Sequence, residues 1–186
     1  MILLACTKAV YIGIHVILGL YDFSFYRLPN ILLGGLLVLY GFYAPLYLDM
    51  NTVLSSLTIC VGVLAIGLVL FFLKFIGAGD AKYLAVASLW VGPHGILYFI
   101  FIVSIIGGGL GFIYILLTNH MARLSDWTWE KIQKAEERCP YLESVWIGSG
   151  VGPEKKTRAN IESRSVPYGV AIAAGAIITA LYITTL

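Results

Sequence analysis

The chain has 186 residues, of which 60% are hydrophobic and 12% charged, with a formal net charge of +2 and a mean hydropathy of +0.91. A soluble domain carries roughly 25% charged residues over its whole surface, whereas here 7 of the 22 charges fall in 1–120, 15 in 121–164 and none in 165–186. This excludes a soluble globular domain, and the lack of a basic stripe excludes a nucleic-acid binder; the composition is that of an integral membrane protein in contact with lipid.

A helix crosses the hydrocarbon layer in roughly 20 apolar residues. The uncharged runs predict an all-α polytopic bundle of six transmembrane helices, at about 2–20, 30–48, 52–75, 80–91, 95–118 and 166–186. The first run is interrupted only by Lys8, while Leu28–Leu48 and Met50–Leu73 are uninterrupted. Leu3-Leu4-Ala5-Cys6 looks like a lipoprotein cleavage box, but no basic segment precedes it, so the first helix is expected to stay. Lys82 and Arg123 bracket 40 uncharged residues, divided at Gly92-Pro93-His94-Gly95, where a helix is expected to break.

The fourth helix is short. Twelve residues rise about 18 Å against a core of roughly 30 Å, so Asp80 is expected to start below the membrane surface. Were this segment re-entrant, five spans would remain. Six spans place 11 of the 12 basic residues on one side and Lys8 alone on the other. Five would set the cluster of eight in 123–164 against Arg27, Lys74 and Lys82. The positive-inside bias therefore favours six spans, with both termini outside and three loops in the cytoplasm.

The cytoplasmic loop 119–165 is expected to contain a short amphipathic helix, Ser125–Arg138. Ser125 or Asp126 would cap it, Glu130 and Lys134 pair at i,i+4, and Trp127 and Trp129 anchor it at the interface. Gly148–Ser163 reads as a polar linker.

Gly107 and Gly111, with Gly169, Ala173 and Ala171, Gly175, have the small-xxx-small spacing of close helix packing. Tyr40, Tyr43, Tyr47 and Trp90 are expected in an aromatic belt at the outer surface. Cys6, Cys60 and Cys139 form no C-x-x-C, and His15, His94 and His120 form no cluster. No disulfide, metal site or cofactor is therefore expected. His15 lies seven residues before Asp22, on roughly the same face. An interhelical hydrogen bond is expected there ahead of a proton relay.

Three acids occur in the first 120 residues: Asp22, Asp49 and Asp80. Asp49 lies in an outer turn, where a solvated carboxylate costs nothing. The other two are expected at cytoplasmic helix ends, Asp22 closing the first helix and Asp80 opening the fourth. A structural reading exists for each: Asp22 pairs with Arg27, and Asp80 caps its helix while Lys82 neutralises it. Intramembrane carboxylates are nonetheless functional candidates by default, and these two meet at one depth. Two adjacent carboxyls hold a single proton, so one can deprotonate water while the other donates to a scissile carbonyl oxygen. Gly77 and Gly79 would let an extended substrate backbone approach Asp80.

Gly77-Ala78-Gly79-Asp80 resembles the G-x-G-D signature of the membrane aspartic proteases. Asp22 followed by Arg27-Leu28-Pro29-Asn30 is similar to the D…R-[IL]-P-N segment of the type IV prepilin peptidases. Gly79-Asp80-Ala81-Lys82 and Val166-Pro167-Tyr168-Gly169-Val170-Ala171 also resemble that family, in particular its short tight-adherence (Flp) branch. The resemblance covers the whole chain in order.

It implies one membrane peptidase domain over 1–186, seated in the bacterial inner membrane. Such an enzyme cuts leaders from prepilins or pseudopilins on the cytoplasmic side. Asp22 and Asp80 would be the catalytic pair. Arg27, Pro29, Asn30, Lys82, Gly77 and Gly79 would support the motifs or face substrate. Pilus-assembly or secretion proteins form a further partner class. Longer members also methylate the new N-terminus, using a domain with paired cysteines that this chain lacks, so methyl transfer is not expected. Thr118–Ser165 is long for the short branch, and Pro167-Tyr168-Gly169 reads as a helix-starting device.

Other classes make other expectations. A proton- or cation-coupled transporter would place charges nearer mid-membrane and show internal repeats. A presenilin-like protease would carry a P-A-L motif, absent here. A pilus-assembly scaffold would keep the motifs for packing alone.

Overall fold

A computed structural model describes the backbone of residues 2–138 and 167–182 and the side chains of 3–113 and 167–182. The described residues form five helices and no strand: α1 (Ile2–Phe25), α2 (Asn30–Tyr47), α3 (Met50–Phe72), α4 (Ala78–Arg138) and α5 (Tyr168–Tyr182). Four stretches are long and apolar enough to cross a membrane: Leu3–Phe25, Asn30–Tyr47, Met50–Phe72 and Ala78–Ile113. The chain is a membrane protein.

The helix ends follow local chemistry. α1 runs five residues past its expected end, so Asp22 lies inside the last turn instead of closing the helix. A carboxyl received by a neighbouring helix need not terminate its own. The stop comes at Tyr26, whose φ of 53° is left-handed and whose N–H bonds the Asp22 carbonyl at 2.8 Å. Pro29, with extended ψ, then starts α2. Asp49 caps α3, its Oδ1 accepting from the Thr52 hydroxyl at 2.6 Å and its Oδ2 from the Thr52 amide at 3.2 Å. These bonds hold the exposed Asp49 carboxyl below the usual carboxylate range. The turn expected to be merely solvated is thus a helix cap.

At its other end α3 closes with Lys74 at φ 63°. Lys74 N–H bonds the Phe71 carbonyl and Phe75 N–H bonds that of Leu70, both at 2.9 Å. This is the Schellman pattern, with lysine where glycine is usual.

The helices expected at 80–91 and 95–118 are instead one helical element, α4. Its apolar part, Ala78–Ile113, has 36 residues. A straight helix of that length would span about 54 Å, well beyond the roughly 30 Å hydrocarbon layer. The expected break survives as Gly92, whose φ is +67°, followed by Pro93. Contacts show that the chain reverses there. Tyr83 bonds His15, and Trp90 packs on Tyr11, further along α1 from Asp22. Beyond the turn, Gly175 faces Phe99 and Val103 of α4, and Gly107 faces Tyr168 and Ala171. Residue 107 thus returns to the level of Asp22, beside the start of α5, although about 40 Å of straight helix would separate it from residue 80.

α4 continues to Arg138, so the first part of the expected loop 119–165 is helical and continuous with α4. The short helix expected at Ser125–Arg138 is the end of this element and has no start of its own. Its capping, its Glu130–Lys134 pair and both tryptophans concern side chains outside the described residues. Cys139 and Gly148–Ser163 lie wholly outside them.

α5 packs between α1 and α4 through small residues. Cβ atoms placed on Gly107 and Gly175 would meet Tyr168 at 3.2 Å and Val103 at 2.5 Å. Gly111, expected in the same role, has nothing within 4 Å. The expected aromatic belt is a buried cluster instead: Tyr40 and Tyr43 are 5% exposed and Trp90 4%, against 39% for Tyr47. Tyr11, Tyr40 and Tyr43 surround the Trp90 ring, whose Nε1–H donates to the Leu36 carbonyl at 3.1 Å. Packing these rings together buries their faces, and the indole N–H gains a partner that lipid could not offer.

Candidate active site

Asp22 is 4% exposed, and its carboxyl rests on the first turn of α5. A Cβ on Gly169 would stand 2.7 Å from the Asp22 Cγ and Oδ2 and 2.9 Å from its Cβ. The carboxyl fills the space that any other residue at 169 would need. The start of α5 at Gly169 and Val170 lies within electrostatic reach of it, as helix N-termini do for anions, while the Val170 N–H itself donates to the Pro167 carbonyl at 3.3 Å. Oδ2 is buried with no hydrogen-bond partner among the described residues.

Asp80 is the acidic residue of the first turn of α4 and is half-buried. Its side chain turns back to Gly77, while Ala81 N–H donates to the Gly77 carbonyl at 3.1 Å, closing the first turn of the helix. A Cβ on Gly77 would lie 3.0 Å from Asp80 Oδ2. Gly77 is exposed, and the Asp80 carboxyl is its nearest neighbour on that side. Gly79 faces Leu28 at an ordinary contact distance of 3.6 Å.

Asp80 is close enough to act electrostatically on Asp22. The bundle therefore joins two carboxyls from helix ends 58 positions apart in sequence. Arg27, Asn30 and Lys82 are exposed, whereas Pro29 is buried. The basic residues Arg27 and Lys82 do not act on either carboxyl.

Two further contributors had not been expected at the site. Gly169 was read for helix packing and, with Pro167 and Tyr168, as a helix start, and only the contact with Asp22 reveals more. Tyr83 is fully buried, hydrogen-bonded to His15 at 2.6 Å and near enough to Asp22 for interaction. Its signal was present: a residue three after Asp80 on a helix shares its face. His15 makes the expected interhelical bond.

A family model described as the type IV leader peptidase family matches residues 9–112, more than half of the chain, spanning both aspartates. Comparison with curated proteins and with solved structures gave no match.

Proposed function

This chain belongs to the type IV leader peptidase family, and from that premise we propose that it is a membrane-embedded aspartic endopeptidase using Asp22 and Asp80. The observation that carries this reading is the approach of two carboxyls, the buried Asp22 and the half-buried Asp80, to within electrostatic reach inside one helical bundle. Two such groups carry one negative charge more cheaply than two. One carboxylate takes a proton from water as its oxygen attacks the scissile carbonyl carbon. The other, protonated, donates to the carbonyl oxygen. Collapse of the tetrahedral intermediate breaks the C–N bond, and the leaving nitrogen is protonated.

The substrates in this reading are prepilins or pseudopilins, cut where the leader meets the hydrophobic helix. α4 contributes two crossings, one on each side of Gly92, giving six in all with α5. The basic residues other than Lys8 then face the cytoplasm of a bacterial inner membrane, and so does the pair. Exposed Arg27, Asn30 and Lys82 border the site on that side and are available to substrate. No methyl transfer is proposed.

Asp22→Asn and Asp80→Asn, each incubated with a prepilin in detergent, test the assignment. Loss of leader removal by at least about 100-fold in both folded variants is expected. Undiminished cleavage by either one overturns it.

A further inference from the structure

We propose that the first turn of α5 is the positioning element of the peptidase, with the missing Cβ of Gly169 seating the Asp22 carboxyl toward Asp80. This rests on the aspartic peptidase reading above and adds a part that it does not require. The contact is with the root of the side chain as well as its tip, since a Cβ at 169 would come within 2.9 Å of the Asp22 Cβ. That atom is fixed by the α1 backbone, so a small swing of the carboxyl cannot relieve the overlap.

α5 has no room to withdraw. One turn further along, a Cβ on Gly19 of α1 would lie 3.2 Å from the Ala173 Cβ, and on the opposite side Gly107 and Gly175 seat the helix against α4. A methyl at 169 must therefore push the whole Asp22 side chain away from the start of α5. The buried Oδ2, without a hydrogen-bond partner among the described residues, then changes its relation to Asp80. Gly169 acts through Asp22 and is a positioning residue.

The test compares Gly169→Ala with Gly175→Ala, the same change in the same helix but facing Val103 instead of the carboxyl. Steady-state cleavage of a prepilin and thermal stability are measured in detergent. Carbon NMR of carboxyl-labelled aspartate is recorded alongside, with the Asp22 signal among four aspartates assigned through Asp22→Asn. For Gly169→Ala we expect kcat to fall about 100-fold, as for a misplaced catalytic group, with KM within about twofold. The Asp22 signal should move. Gly175→Ala should lower stability while leaving kcat within about threefold and the Asp22 signal in place.

Val170→Pro puts a ring carbon where the first turn of α5 has an amide hydrogen, in a turn that tolerates proline. It should lower kcat by about tenfold and settles the matter if Gly169→Ala does not fold. An unmoved Asp22 signal, or a kcat loss no larger than that of Gly175→Ala, overturns the proposal. If the wild-type protein cuts no prepilin, the peptidase reading falls, and the position of the Asp22 signal still decides the role of α5.

Discussion

His15 Nδ1 and the Tyr83 hydroxyl lie 2.6 Å apart, both fully buried, in the seam between α1 and α4. The bond stands seven residues before Asp22 and three after Asp80, so it ties together the two helices that carry the acids. Tyr11 packs edge-on against the His15 ring, with centroids 4.3 Å apart.

Removing one partner leaves the other stranded. Tyr83→Phe should lower stability by about 1–2 kcal/mol, the cost of an unpaired buried group in a membrane protein. Cleavage should fall as well, because the register between α1 and α4 loosens. His15→Phe combined with Tyr83→Phe should recover part of the lost stability, since two apolar groups leave nothing unsatisfied. Thermal unfolding of the two single variants and the double variant in detergent gives the coupling.

Gly92 is where α4 reverses. With φ at +67°, a side chain there is strained, and its Cβ would sit 3.2 Å from Ser56 Oγ. Gly92→Ala should destabilise the protein by about 1–2 kcal/mol, measurable as a lower Tm in detergent. An unchanged Tm would mean that the reversal does not depend on this residue.

Lys74 holds the left-handed position of the Schellman turn after α3. Lys74→Gly should raise stability by about 0.5–1 kcal/mol, the relief of left-handed strain less the added freedom of the unfolded chain. A Tm no higher than wild type contradicts this.

Asp49 links α3 to pH. Its folded carboxyl is held below the usual range by the Thr52 hydroxyl and amide, so the cap contributes stability above the ordinary carboxylate value. That contribution is lost as pH falls through the lower folded value. Asp49→Asn keeps a capping oxygen but should abolish this part of the acid dependence. Unfolding curves of both proteins across the acid range, in detergent, measure the difference.

Much of the architecture was legible in one dimension. Unbroken apolar runs located α2 and α3 within a few residues, and Gly92-Pro93 marked the reversal inside α4. The end of α1 was misjudged because Asp22 is charged, and charge alone does not reveal that a neighbouring helix will receive a carboxyl. Tyr40, Tyr43 and Trp90 were misplaced for a related reason. An aromatic residue near a helix end suits either a membrane interface or a buried cluster, and the choice depends on which helix lies opposite.

Scarcity of charge made Asp22 and Asp80 conspicuous, because a bilayer makes each unneeded carboxylate costly. Composition and spacing therefore established a membrane bundle, its two acids and the motifs around them. The packing of α5 against α1 determined that Gly169 lies under Asp22, and the turn before α4 determined that Asp80 lies back on Gly77. The second of those relations is local to the start of α4, while the first joins residues more than a hundred positions apart. It depends on which backbones can approach when a Cβ is missing, a property of helix pairs that no local pattern records.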